Sequence, residues 1–171
     1  MKRRTPPPAG PRVRRGVTLL ELVIALAVLA VLGALAAPQI GAMLTRQRLV
    51  TTAELLAADI SDARYEAARR GAALHLQSAA GAQWCWAVAT APGCSCQGAS
   101  ACRIKTASAN DHPGVSLVSA EDLRLDPDGQ VDGSAAALFA AGNASVRVEV
   151  SRFGRTRICD PAGNLPKLPR C

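Results

Sequence analysis

The sequence is poor in aromatic residues: two Trp, one Tyr and two Phe make up 3% of its 171 residues. So small a set argues against an extended base-stacking platform and leaves Val, Leu, Ile and Ala to build any core. Histidine is scarcer still. His75 and His112 are isolated, with no nucleophile or metal ligand at a recognisable spacing. No Ser/His/Asp set, phosphate-binding loop or pair of catalytic carboxylates is evident, so no residue is nominated as catalytic and an enzyme is not expected. Charge of one sign is also missing. The first sixteen residues, MKRRTPPPAGPRVRRG, contain no acid, and between Val17 and Ala37 the only ionisable side chain is Glu21.

What is present begins with that basic, proline-rich segment, which cannot form a core. Its six cations account for most of the formal charge of +7, and removing them leaves +1. The bulk basicity is therefore mainly a targeting feature, and any polyanion site must come from local clustering. The following run from Val17 to Ala37 is polar only at Thr18 and Glu21. At about 1.5 Å per residue a helix of that length covers about 30 Å, one bilayer core. The arginines before it predict a single membrane pass with a cytoplasmic N-terminus and an exported C-terminal domain.

Three readings compete for this run. A cleavable signal peptide fits the basic start and the Ala34-Leu35-Ala36 sequence, but the apolar stretch is longer than usual and includes a carboxylate. A plain signal anchor fits the length and leaves Glu21 unexplained. The stretch Gly16-Val17-Thr18-Leu19-Leu20-Glu21, followed by an unbroken apolar helix, closely resembles the processing and assembly signal of type IV prepilins. That resemblance implies that a membrane-embedded prepilin peptidase cuts after Gly16 and methylates Val17. It also implies that Glu21 pairs with the methylated amine of a neighbouring subunit during assembly. Val17 departs from the commoner Phe or Met, and Pro38 falls where many pilins carry a helix-bending proline.

Beyond Pro38 the pattern becomes amphipathic. Leu49, Leu56, Ile60, Ala63 and Ala67 recur on one helical face, and Gly71 is a stop signal. Strand candidates follow: Ala73 to Gln77, Trp84 to Ala89, Val115 to Val118, Leu123 to Leu125 and Ala137 to Ala140. The clearest is Ser145 to Ser151, with Val146, Val148 and Val150 inward and Arg147 and Glu149 outward. Trp84 and Trp86 share one strand face and read as core. The expected architecture is α+β: a long N-terminal helix packed on a small, mostly antiparallel β-sheet domain. Its divisions are a leader (1–16), a transmembrane and assembly helix (17–38), an amphipathic second half (39–71) and a β-rich exported domain with a basic tail (72–171).

All six cysteines lie beyond the apolar run, which predicts disulfides in an oxidising compartment. Six allow fifteen pairings, and the order of residues does not choose among them. Cys159 and Cys171 bracket a proline-rich tail that a bridge between them would close. Cys85, Cys94, Cys96 and Cys102 would then form two more, with Cys94–Cys96 disfavoured by its tight ring. A zinc cluster from Cys94, Cys96 and Cys102 lacks the usual spacing and a nearby histidine. The Asp126 to Gly133 turn lacks the remaining ligands of a calcium loop. No metal or cofactor is expected.

The densest charge in the exported part lies near its end. From Val146 to Cys171 there are six cations against two acids, Glu149 and Asp160. In Gly154-Arg155-Thr156-Arg157 the glycine can form a turn, and the two arginines then project to one side, about 6 to 7 Å apart in extended chain. Two guanidinium forks at that separation suit neighbouring phosphates. The Ala63-Arg64 helix end, the Val-rich strand and the Gly-Arg-Thr-Arg segment followed by Cys159 resemble the C-terminal part of FimT-type minor pilins, within the GspH/FimT group. The resemblance implies sequence-independent DNA binding during natural transformation, through Gly154, Arg155 and Arg157, with Arg152, Lys167 and Arg170 as supporting charge. Two other members of the same group fit the N-terminal signal: a GspH-like minor pseudopilin of a type II secretion system, and a structural minor pilin that primes assembly without a ligand. In each case the resemblance implies residence in the inner membrane before assembly, with the C-terminal domain in the periplasm, and partners that are other pilin-like subunits or, for the pseudopilin, secreted proteins.

Overall fold

The computed structural model describes residues 18–132 and 134–171, without the side chains of residues 36–39. The expected leader, Gly16 and Val17 lie outside the described residues, as does Gly133 of the aspartate-rich turn. The chain divides into two compact units, Met1–Ile40 and Gly41–Cys171.

In the first unit Thr18 opens helix α1 (Leu19–Arg70). Its hydroxyl accepts the Glu21 backbone N–H at 3.2 Å, and its carbonyl accepts that of Leu22 at 3.1 Å. This is an N-cap, satisfying an amide that the first turn would otherwise leave unpaired. The apolar side chains from Leu19 to Leu35 are exposed. Leu19–Leu35 taken with Ile40–Arg70 is a candidate membrane span by length and composition, whereas neither segment alone is long and apolar enough.

In the second unit the face of α1 anticipated from its periodicity is buried: Leu49, Leu56, Ile60, Ala63 and Ala67, joined by Thr52 and Ala53. Gly71 ends the helix at a φ of 63°, a conformation that costs a residue with a Cβ. Eight strands follow: β1 (Leu74–Ala79), β2 (Cys85–Ala89), β3 (Arg103–Ser108), β4 (Ser116–Ala120), β5 (Leu123–Leu125), β6 (Ala135–Ala141), β7 (Ala144–Val150) and β8 (Thr156–Cys159). They form two antiparallel sheets, ordered β3-β2-β1-β5 and β4-β6-β7-β8. The chain is α+β, but with two four-stranded sheets where the sequence suggested one. It changes sheet three times, between β3 and β4, between β4 and β5 and between β5 and β6, the middle change falling across Glu121 and Asp122. There Glu121 N donates to Ala136 O at 3.3 Å, and Asp122 Oδ1 accepts Ser78 N at 2.9 Å.

Buried residues of α1 and both sheets form one apolar cluster. Trp84 and Trp86 lie at its centre, stacked at 5.3 Å, with the Phe139 ring edge-on to both at 5.9 Å. Each indole N–H has an acceptor: Trp84 donates to Val115 O at 2.7 Å and Trp86 to Asp59 Oδ2 at 2.8 Å. Asp59 is buried on α1, and Lys105 of β3 places Nζ 2.5 Å from its other oxygen. His112, isolated in sequence, places Nδ1 3.1 Å from the Thr52 hydroxyl and stacks on Trp84.

Strand β2 is buried along its whole length. Cys85 and Ala87 pack against Cys96 and Ala79 in a separate small cluster. Cys85–Cys96 fastens the following loop to this strand, Cys94–Cys102 closes that loop on itself, and a third disulfide joins Cys159 to Cys171. The four clustered cysteines are thus engaged in covalent bonds and offer no thiolates to zinc.

Candidate nucleic-acid interface

The Gly-Arg-Thr-Arg segment is built on a turn between β7 and β8. Val150 and Thr156 are register partners, so five residues, 151–155, reverse the chain. Gly154 N donates to Ser151 O at 2.7 Å, Ser151 N to Arg155 O at 3.0 Å, and Arg155 N to the Ser151 hydroxyl at 3.1 Å. Gly154 has a φ of 66°, as anticipated for a turn glycine, but it is buried. The side chain above it is Arg64 of α1, and a Cβ at position 154 would overlap the Arg64 stem.

The turn presents cations unequally. Arg152, Arg155, Arg157, Lys167 and Arg170 are exposed. Arg147 is half-buried, with its Nε out of contact with solvent. Arg155 and Arg157 come together on the rim of a depression of about 650 Å³. Glu149 and Glu121 line the same depression, and Glu149 is the register partner of Arg157. Arg157 also donates from Nη2 to Arg170 O at 2.8 Å. The site therefore has mixed charge: Arg155 faces solvent, while Arg157 lies beside a carboxylate and holds the tail. Glu121 has no neighbour in sequence to signal this. It arrives because β4 pairs with β6 and a sheet change falls at residue 121.

The tail is folded over Asp160. Burial alone would push this carboxyl up, but the backbone N–H groups of Leu165, Ala162, Gly163 and Asn164 together outweigh it and hold the group below the usual aspartate range. The Leu165 bond measures 2.6 Å and the Ala162 bond 2.9 Å. Asp160 N donates to Pro169 O at 2.8 Å, Leu165 is buried, and Cys159–Cys171 closes the loop. Of the two acids counted in this region of the sequence, Asp160 is thus enclosed and spent on backbone amides. Glu149, Cys159 and Cys171 offer ligand atoms within 4.8 Å of one another, but the two cysteines are bonded to each other.

Cations near the end of α1 are committed elsewhere. Arg69 and then Arg70 hydrogen-bond to Glu66 and hold its carboxyl at about 2. In the aspartate-rich turn, Asp126 accepts from Arg124 at 3.0 Å and Asp128 from Gln130. These carboxylates close a turn rather than gather round one point.

In the sequence Arg64 stands out only as part of the helix end that resembles FimT-type pilins, with no role or partner assigned to it. Its Nη1 donates to Gly154 O at 3.0 Å and its Nε to Gly129 O at 3.3 Å. An arginine on the polar edge of an amphipathic helix gives no sign of such partners, since both are backbone carbonyls 65 and 90 residues away.

Two family models match the chain. One, the prokaryotic N-terminal methylation motif, covers residues 11–37, and the other, type II transport protein GspH, covers residues 52–154. No curated protein matches. Among solved structures, two crystal forms of the type IV minor pilin FimU from Pseudomonas aeruginosa are similar in fold. One aligns at 18% identity over 70% of this chain and 98% of that one, with a TM-score of 0.51. The other aligns at 17% identity over 72% and 96%, with a TM-score of 0.54.

Proposed function

Because the chain belongs to the GspH family of type IV pilin-like proteins, which are structural rather than catalytic, we propose that it is a minor type IV pilin that binds extracellular DNA through its phosphate backbone during DNA uptake. The observation that carries this reading is the fixed β7–β8 turn. It sets exposed Arg155 and Arg157 on one rim, flanked by exposed Arg152 and, from the tail, Lys167 and Arg170. Binding is electrostatic and indifferent to sequence, so affinity falls steeply with salt.

The N-terminal motif and hydrophobic helix are consistent with membrane anchoring followed by incorporation in a filament. In this reading prepilin peptidase cleaves after Gly16, Val17 becomes the methylated terminus, and the folded domain stands in the periplasm until assembly. The division into leader, assembly helix, amphipathic half and β-rich domain follows the same scheme. Partners are other pilin subunits.

The test is a gel shift with duplex DNA, using the full-length chain in non-ionic detergent over a range of salt. Arg155→Gln/Arg157→Gln is expected to bind at least about tenfold more weakly, with a salt slope shallower by about two. An unchanged affinity would sink the proposal. One observation favours a second reading, a GspH-like minor pseudopilin or a priming pilin without a nucleic-acid ligand. Glu121 and Glu149 share the depression with the arginines and oppose a polyanion. No salt-sensitive binding by the unaltered chain is the outcome that reading requires.

A further inference from the structure

We propose that Arg64 is a positioning residue for the DNA-binding face, an inference that rests on the reading of Arg155 and Arg157 given above. Its guanidinium joins three pieces of chain. From α1 it reaches the carbonyl of Gly129, in the turn between β5 and β6, and that of Gly154, in the turn between β7 and β8. The two turns are also tied to each other, since Val131 N donates to Arg152 O at 2.9 Å. The 126–130 turn is closed by its own bonds, Gly129 N to Asp126 O and Asp126 N to Gln130 O, both at 2.9 Å. Arg64 therefore fixes the turn carrying Arg152 and Arg155 against two elements that are already rigid.

Three features separate this role from a direct grip on phosphate. Arg64 is half-buried, and two of its nitrogens are already donating to carbonyls. A Cβ at Gly129 would meet its remaining terminal nitrogen at 3.3 Å, so that end of the fork lies close over the 126–130 turn. Gly154 leaves open the space that the Arg64 stem fills, and its positive φ suits the bend that turns its carbonyl toward the helix. Lysine cannot substitute. Its ammonium is a single compact donor centre on a flexible stem, whereas the planar fork is pre-organised for two acceptors.

The test compares Arg64→Ala, Arg64→Lys and Gly154→Ala with the unaltered chain, each at full length in detergent. DNA affinity and salt slope are measured well below each variant's melting temperature and normalised to folded protein. Both Arg64 variants are expected to lose about fivefold or more in affinity, with a slope shallower by about one as phosphate contacts fall out of alignment. Gly154→Ala is expected to resemble them. It should cost less when added to Arg64→Ala than alone, because the overlap with the arginine stem is then gone. Binding by Arg64→Lys at the level of the unaltered chain overturns the proposal, since charge alone would then suffice. Normal affinity in both Arg64 variants, with only a lowered melting temperature, also overturns it and confines Arg64 to stability. If Arg64→Ala does not fold, Arg64→Lys and Gly154→Ala decide. If Arg155→Gln/Arg157→Gln binds normally, the DNA reading itself fails. If that variant loses binding while the Arg64 variants keep it, only the positioning role fails.

Discussion

Asp160 shows how much one side chain organises in a short tail. Its carboxylate accepts backbone amides that a proline-interrupted loop has no regular structure to satisfy. Asp160→Ala would leave those donors unpaired and is expected to cost about 1–3 kcal/mol in stability, read from denaturant midpoints at neutral pH. Because the folded carboxyl lies below its unfolded value, the contribution is complete above about pH 4 and is lost as pH falls through the folded value. The gap between the unaltered chain and the variant should therefore narrow below about pH 4, and a gap constant down to pH 2 would refute this account. From sequence, Asp160 looked like one of two acids diluting a basic patch. Its burial depends on where Leu165 and Pro169 return to it, which spacing does not reveal.

Among the elements, the attachment of α1 to the β3-β2-β1-β5 sheet rests on apolar packing with a polar pin inside it. Asp59 takes the Trp86 N–H and faces Lys105, whose amine is raised above its usual value chiefly by its hydrogen bond to that carboxylate. Trp86→Phe keeps an aromatic ring but loses the second ring of the indole and leaves a buried carboxylate oxygen without its donor. The lost donor alone is expected to cost about 1–3 kcal/mol in thermal or denaturant unfolding, and the cavity adds to it. Lys105→Met leaves the other oxygen of the same buried carboxylate without its partner and removes its counter-charge, so it should cost at least as much as that lost donor, although the ammonium itself is half exposed. The helix face and the alternating strands were legible in sequence because each has one buried side: β7 alternates buried and half-buried residues throughout. β3 and β8 were not. Both lie at sheet edges, β3 buries only Ala107 and β8 only Cys159, so neither shows an alternating apolar pattern. The partition into two sheets was equally hidden, because the chain crosses between them three times, once across only the two polar residues between β4 and β5. Of the candidate site, the glycine turn and the paired arginines could be read locally. The opposing glutamates and Arg64 could not, since they come from distant chain.

At the scale of the whole molecule, the first unit and the β-rich unit answer different demands. Thr18 and Glu21 illustrate the first. The Thr-Leu-Leu-Glu spacing supports a local cap, with the Glu21 amide on the Thr18 hydroxyl, independent of any partner. The Glu21 side chain is exposed and remains available for the assembly role proposed for it. Glu21→Ala is therefore expected to leave the helix start and cleavage after Gly16 intact while reducing incorporation into filaments. Immunoblots of leader processing and of sheared filaments would check both, and normal incorporation would remove Glu21 from assembly. In the second unit, the two bridges between residues 85 and 102 carry a consequence for how the protein is made. In chain order the cysteines are 85, 94, 96 and 102, yet the bonds join the first to the third and the second to the fourth. A chain oxidised in the order its thiols emerge would join Cys85 to Cys94 and Cys96 to Cys102, and the loop would close on the wrong partners. Reaching the interleaved pairing from there requires thiol–disulfide exchange. If oxidation follows that order, maturation of this small domain depends on a compartment that can reshuffle disulfides as well as form them; a chain that folds before its thiols are oxidised needs no exchange.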